Sequence, residues 1–328
     1  RVICFTYLVS IAGIMPKKQS LSKRLVHLIE YVALLSFAFV LRILPFGIVY
    51  SIAGFFGMLA CDLFGIRLDV TMENLRRAFG KEMSEKELKA LARESYKNIG
   101  MTFIEMLLVP RLRHDLLTIV DVSEIKTLDY NAGDGQGIIF VSGHFGSWEL
   151  SGAAIALSGI AMTAVAKEQS NPYADEYITR QRNSFGIKVV QPGASLKHLV
   201  KALRAGEGIG LISDQDAGKN GVFVDFFGEK ASTPGGAAQL ALKYGSPIVI
   251  SMTIRLKPGE YKSIYRPVEV LDGDTVESIT QRFTTVMESV IREYPSQYFW
   301  MHRRWKTRPQ VMVDASNGNN TETITEAS

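Results

Sequence analysis

The stretch "SGHFGSWEL", residues 142–150, sets a histidine between two glycines directly behind the apolar run Gly137–Val141, with Glu149 five positions further on. A histidine needs a carboxylate to hold its tautomer and to stabilise the imidazolium it becomes. His144 and Glu149 would supply a base and its orienter with no nucleophilic serine. Such a pair suits general-base activation of an incoming hydroxyl. On one continuous helix five positions would set the two side chains roughly 140° apart, so they meet only if the turn folds His144 back over the helix start. Gly143 and Gly146 permit that. A turn histidine bonded to backbone, beside a glutamate that serves only the helix dipole, stands equally open from these two residues.

The elements that must position them follow from periodicity. Gly137–Val141 reads as a buried strand, residues 143–146 as a turn and Trp148–Leu157 as a helix. Short apolar runs at 137–141, 161–165, 187–190, 208–213 and 247–254 alternate with helical segments, which predicts an α/β fold with a mostly parallel central sheet flanked by helices. "GQGIIFVSGHFG" and "GEGIGLISDQDAG" share a plan of glycine, buried strand and polar turn. Ligands gather outside the carboxyl ends of strands in such sheets, so the second turn, with Asp214 and Asp216, is expected to line the same site as the first. Residues 70–118 read as amphipathic helix, and Ser84 with Glu87 forms a capping-box signature.

The N-terminal sixty residues are the most apolar. Val2–Met15 carries no charge, and residues 25–44 approach the length of a membrane span but include Glu30 and Arg42. One span, a helix lying in the membrane interface and a buried core helix all fit. The expected organisation is a membrane-associated helical segment over 1–61, an α/β domain over 62–308 and a polar, disordered tail over 309–328 that lacks Lys and Arg. Cys4 and Cys61 lie far apart with no CxxC, so neither a disulfide framework nor a zinc site is indicated. No G-x-S-x-G elbow, Walker A sequence or G-x-G-x-x-G spacing is present, and "DQDAGKNGVFVD" has Lys219 where a calcium loop needs glycine.

"MHRRWKTRP" brings Arg303, Arg304, Lys306 and Arg308 together among Trp300 and Trp305. Basic residues beside aromatics can form a nucleic-acid surface, a headgroup-level membrane belt, a dock for an acidic carrier protein or a solvated run. An apolar N-terminus beside a net charge of only +4 favours the membrane and carrier readings over nucleic acid.

From about residue 25 to 308 the chain resembles the lipid A biosynthesis (lauroyl/myristoyl) acyltransferases, a family that includes phosphatidylinositol mannoside acyltransferases. The resemblance rests on "GHFGSWEL", "ISDQDAG", "FFGEKASTPGG" and "PSQYFWMHRRWKTRP" in that order. It implies a glycerol-phosphate-acyltransferase-like fold and transfer of a fatty acyl chain from an acyl-carrier-protein or acyl-CoA thioester to a lipid hydroxyl. The place would be the cytoplasmic face of the inner membrane, with no metal or cofactor, and the acceptor a lipid A precursor or another glycolipid or lysophospholipid. His144 then matches the general base and Glu149 its partner carboxylate, with Lys167, Arg180, Arg182, Asp214, Asp216, Arg303 and Arg304 on the substrate. The family usually has arginine where this chain has Lys167, and lysine supplies charge without a bidentate fork. A thioesterase and a non-catalytic membrane-surface binding protein are the rival functions.

Overall fold

A computed structural model of the chain describes residues 20–128, 136–191, 195–309, 311–312 and 323–324. The apolar run Val2–Met15 lies outside the described residues, as does most of the polar tail, of which two short strands, Val311–Met312 and Thr323–Ile324, pair antiparallel. Ser20 caps the first helix, α1 (Leu21–Ile43), and Pro45 separates it from α2 (Phe46–Asp62). Then follow α3 (Leu68–Phe79) and α4 (Glu85–Leu112). The expected capping box opens α4: Ser84 accepts from the Glu87 amide while the Glu87 carboxylate accepts from the Ser84 amide at 2.8 Å. Backbone carbonyls crowd the crossing of α2 and α4. A Cβ on Gly57 would meet the Tyr96 carbonyl at 2.3 Å and one on Gly100 the Ala53 carbonyl at 2.4 Å, so only glycine lets these helices approach so closely.

The α/β region begins with α5 (Leu116–Ile119) and β1 (Val120–Asp121). It continues through β2 (Ile138–Ser142), α6 (Trp148–Leu157), β3 (Met162–Val165), α7 (Pro172–Ser184), β4 (Ile187–Val190), α8 (Ser195–Arg204) and β5 (Gly208–Ile212). A hairpin of β6 (Val222–Phe226) and β7 (Glu229–Thr233) follows, then α9 (Gly236–Tyr244), β8 (Ile248–Lys257), β9 (Glu260–Val268) and α10 (Val276–Glu293). All five expected strands are present. The seven-stranded sheet runs β1-β9-β8-β2-β5-β3-β4, with every neighbouring pair parallel except β8 and β9. The antiparallel β8–β9 hairpin and the β6–β7 hairpin were not visible in the alternation of strands and helices.

Alternate side chains of β2 face opposite cores, Ile139 and Val141 one way and Ile138 and Phe140 the other, as a strand covered on both faces requires. The first core is closed by α3, α8, α9 and α10, the second by α1, α2, α6, α7 and the C-terminal half of α4. One stripe of α1, formed by His27, Tyr31, Ala38 and Leu41, packs into that second core, and Tyr31 stacks on Tyr173 of α7. The opposite side leaves Leu25, Ile29, Val32, Phe39 and Ile43 exposed, joined by Phe55 and Phe56 of α2.

Candidate active site

Strands β2 and β5 are parallel neighbours, with Ser142 opposite Ile212. Their carboxyl ends therefore open side by side into the turn 143–147 and the loop that begins at Ser213. At Gly143 an added Cβ would stand 3.2 Å from the Asp214 carboxyl group, so the absence of a side chain lets that carboxylate reach the turn. Asp214 Oδ2 accepts the backbone N–H of His144 at 2.8 Å, and Oδ1 pairs with the ring Nδ1, also at 2.8 Å. Asp214 is buried, while a quarter of the His144 side-chain surface remains open. With Nδ1–H directed at the carboxylate, Nε2 carries the lone pair, and the Gln215 side-chain amide approaches it at 3.4 Å.

Burial alone would lower the His144 pKa. The adjoining Asp214 carboxylate, and Glu149 more weakly, outweigh it, and the net displacement is upward from 6.5. Burial likewise raises the Asp214 carboxyl, but the His144 charge, the hydrogen bonds from His144 and the nearby Arg304 bring it below the usual carboxylate range.

Glu149 does not hydrogen-bond to the imidazole, contrary to the role expected for it. Its carboxylate is forked by Arg182, with Nε at 3.0 Å and Nη2 at 2.6 Å. Glu149 begins a helix, where its side chain is carried away from the turn, and α7 presents Arg182 to it. The orienter of His144 is Asp214. Glu149 acts on the ring only through space.

Glu149 and Arg182 are the charged residues lining a cavity of about 100 Å³ between α6 and the sheet. Besides them its walls are Ile155, Met162, Ile187, Leu211 and the backbones of Gly152 and Gly210. Trp148 lies on the same wall and meets the His144 ring edge-on at 5.4 Å. The His144 ring thus stands beside a mostly apolar slot, with Trp148 between them.

The remaining expected residues divide sharply. Lys167 is exposed just after β3, next to Ala166 of the cavity wall. Arg180 is exposed and pairs with Glu176 one turn earlier on α7, at 2.6 Å. The Asp216 oxygens accept from the Thr307 amide at 3.0 Å, the Thr307 hydroxyl at 2.9 Å and the Gly218 amide at 3.2 Å, which ties the C-terminal segment to the β5 loop. Arg303 and Lys306 are exposed. Arg304 is buried, donates to the Ser232 carbonyl at 2.6 Å and to the Thr233 hydroxyl, and lies over the Phe226 ring. Trp300 and Trp305 are buried with it, and Arg308 pairs with Glu229. The basic segment is thus a core staple with three outward charges, one of them paired with Glu229, because Trp300, Arg304 and Trp305 fill the core.

Turn amides near Gly146 are not available to a substrate oxygen. Gly146 donates to the Gln297 carbonyl at 2.8 Å, Ser147 to the Thr253 carbonyl at 3.1 Å and Phe145 to the Gly143 carbonyl at 2.8 Å. Behind the turn lies a buried pair that sequence reading passed over, Glu105 of α4 and Arg255 of β8, 2.6 Å apart. The signal was present: a lone acid in the apolar run "MTFIEMLL" and a lone arginine in "IVISMTIRL".

Known proteins resemble the chain over most of its length. A family model described as "Bacterial lipid A biosynthesis acyltransferase" matches residues 17–307. The "Lipid A biosynthesis lauroyltransferase" of Escherichia coli (strain K12) is 29% identical over 275 residues, covering 81% of this chain and 88% of that protein. The "Lipid A biosynthesis acyltransferase" of Haemophilus influenzae is 30% identical over 274 residues, 81% of this chain and 86% of its own. The "Phosphatidylinositol mannoside acyltransferase" of Mycolicibacterium smegmatis is 25% identical over 237 residues, 71% and 77% respectively. With a family match across nearly the whole α/β fold and a relative 30% identical over most of both chains, the chain belongs to the bacterial lipid A biosynthesis acyltransferases.

Proposed function

We propose that this acyltransferase moves a fatty acyl chain from an acyl-carrier-protein or acyl-CoA thioester to a hydroxyl of a lipid A precursor, with His144 as general base and Asp214 as its orienter. The observation that carries the proposal is the His144–Asp214 pair, with Nε2 left as the acceptor, beside the apolar cavity. The hydroxyl proton passes to Nε2 as the hydroxyl oxygen attacks the thioester carbonyl. The tetrahedral intermediate then expels the thiolate, which takes the proton back from the imidazolium, leaving an ester and a free thiol. Its negative oxygen needs donors. The Gly146 and Ser147 amides are already used, so the role falls to the first-turn amides of α6, which have no partner within the helix, and to Arg182 of the cavity lining.

The exposed apolar faces of α1 and α2 support a seat on the membrane surface. α1 is long and apolar enough to cross a bilayer, and only 22% of its apolar window is buried. Its buried stripe nevertheless contacts the α/β region from His27 to Leu41, which favours a helix lying in the interface over one that leaves the domain to span. Thioester donors are cytoplasmic, so the face is the cytoplasmic one of the inner membrane. The mannoside relative supports a second acceptor class, another phosphorylated glycolipid.

The test is acyl transfer by the detergent-solubilised protein, with acyl-carrier-protein and CoA thioesters offered separately to a lipid A precursor and to a phosphatidylinositol mannoside. Ester formation that needs the lipid and disappears in His144→Ala supports the proposal. Thioester hydrolysis at the same rate without any lipid would establish a thioesterase instead.

A further inference from the structure

We infer that the buried Glu105–Arg255 pair is the positioning element of the His144 turn, an inference that rests on the reading of His144 as the base. Arg255 is the hub. Its guanidinium donates to Glu105 through Nε at 2.6 Å and Nη2 at 2.7 Å, to the Thr102 hydroxyl at 2.8 Å and to the Asn98 side chain at 2.8 Å. Its backbone is gripped by the Gln297 side chain, which accepts from the Arg255 amide and donates to the Arg255 carbonyl, both at 2.9 Å.

The two residues held in this way hold the turn in their place. Thr102 donates to the Gly146 carbonyl at 2.7 Å, and Gly146 donates in turn to the Gln297 carbonyl at 2.8 Å. Both polar groups of Gly146 are therefore fixed by partners of Arg255. Gly146 itself has φ +51°, and a Cβ there would stand 2.1 Å from the Thr253 carbonyl oxygen, so the turn has neither side chain nor slack at that point. One residue on, the Ser147 hydroxyl donates to Glu105. The Tyr50 and Tyr261 hydroxyls donate to the same carboxylate at 3.0 and 2.7 Å, so α2 of the apolar helical pair also closes on it.

A buried ion pair is a weak means of stabilising a fold, because well-packed apolar residues of the same volume often serve as well. Its directional bonds can do what apolar packing cannot, which is to fix a backbone segment in one geometry. A base misplaced by about 1 Å can lose on the order of 10²-fold in rate. Here the fixed segment begins two residues after the base, while Asp214 fixes the base itself from the other side.

The test uses the acyl-transfer assay on full-length protein with Thr102→Val, Ser147→Ala and Thr102→Ser, since Glu105→Gln leaves a buried unpaired arginine and can fail to fold. Thr102→Val keeps the shape but loses both the bond to Gly146 and the acceptor for Arg255. The expected result for Thr102→Val is a kcat about 10–100-fold lower with the donor KM within about twofold, as a loss felt only in the transition state requires. The pH midpoint should stay in place because Asp214 is untouched, and Thr102→Ser should recover most of the rate. Ser147→Ala should fall in the same direction and decides the matter if Thr102→Val does not fold. Folded Thr102→Val and Ser147→Ala proteins with wild-type kcat, alongside an inactive His144→Ala, would overturn the positioning role alone. An active His144→Ala would overturn the base, and the positioning role with it.

Discussion

Asp214 holds His144 at two points, taking the backbone N–H on Oδ2 and the ring Nδ1 on Oδ1, each at 2.8 Å. The first bond fixes where the residue stands and the second fixes how the ring faces. A single carboxylate thus sets both the place and the tautomer of His144.

Asp214→Asn should therefore be the severe substitution. The amide can still bond to the ring but no longer stabilises the imidazolium, and general-base assistance is typically about 10²–10⁴-fold. Glu149→Gln should cost less in kcat. It loosens the Arg182 fork in the cavity lining, so the donor KM should rise as well. Steady-state kinetics on the two purified variants checks the order, and equal losses would return Glu149 to the role of orienter.

The pH profile follows from the upward displacement of the His144 pKa. The working form is the neutral imidazole, and Asp214 and Glu149 both favour the charged one. The neutral fraction, and kcat/KM with it, should rise with pH through a midpoint above 6.5. Removing one of those charges with Glu149→Gln should move the midpoint down. A midpoint that moved up would contradict the assignment.

Acyl-chain length should be read by the cavity wall that carries Gly152. A Cβ at Gly152 meets only the Ile187 Cδ1 atom, at 3.5 Å, so a side chain starts there without a clash. Gly152→Leu should fill the slot and depress turnover of the longest acyl donors while sparing short ones. A series of acyl-CoA or acyl-carrier thioesters of increasing length measures this directly.

Removing α1 should not simply release a soluble domain. Tyr31, Ala38 and Leu41 are buried in the same core as Ile104, Leu107 and Tyr173, and fully burying a large apolar side chain contributes about 1.5–3 kcal/mol. Deleting residues 1–44 should lower the thermal midpoint markedly. Replacing exposed Ile29, Phe39 and Phe56 by aspartate should instead leave the midpoint nearly unchanged and weaken sedimentation with phospholipid vesicles.

The basic C-terminal segment should split into two behaviours. Arg304→Lys loses the fork that spans the Ser232 carbonyl and the Thr233 hydroxyl in a buried site, so it should destabilise the fold by about 1–3 kcal/mol. Arg303→Ala with Lys306→Ala removes exposed charges. It should leave stability within about 0.5 kcal/mol and, where those charges meet an anionic donor or headgroup, raise KM in a salt-sensitive way. Denaturant melts and kinetics at two ionic strengths separate the cases.

Much of this molecule is local, and what is local was legible. The five strands, the helix at 148–157, the capping box at Ser84 and the turn carrying His144 all follow from apolar periodicity, glycine placement and cap chemistry within a few residues of chain. The shared plan of the two strand-and-turn units even marked the loop of Asp214 as part of the same site. Sequence nearness, however, favoured Glu149 as the partner of His144. Tertiary structure decided otherwise, because β2 and β5 are laid side by side and the carboxylate 70 residues away reaches Nδ1, while Glu149 is carried off on α6 to meet Arg182. The same reason separates Arg304 from Arg303 and joins Glu105 to Arg255. Whether a charge faces solvent, substrate or another charge is set by which elements pack against it, and that is a property of the sheet order rather than of any stretch of chain.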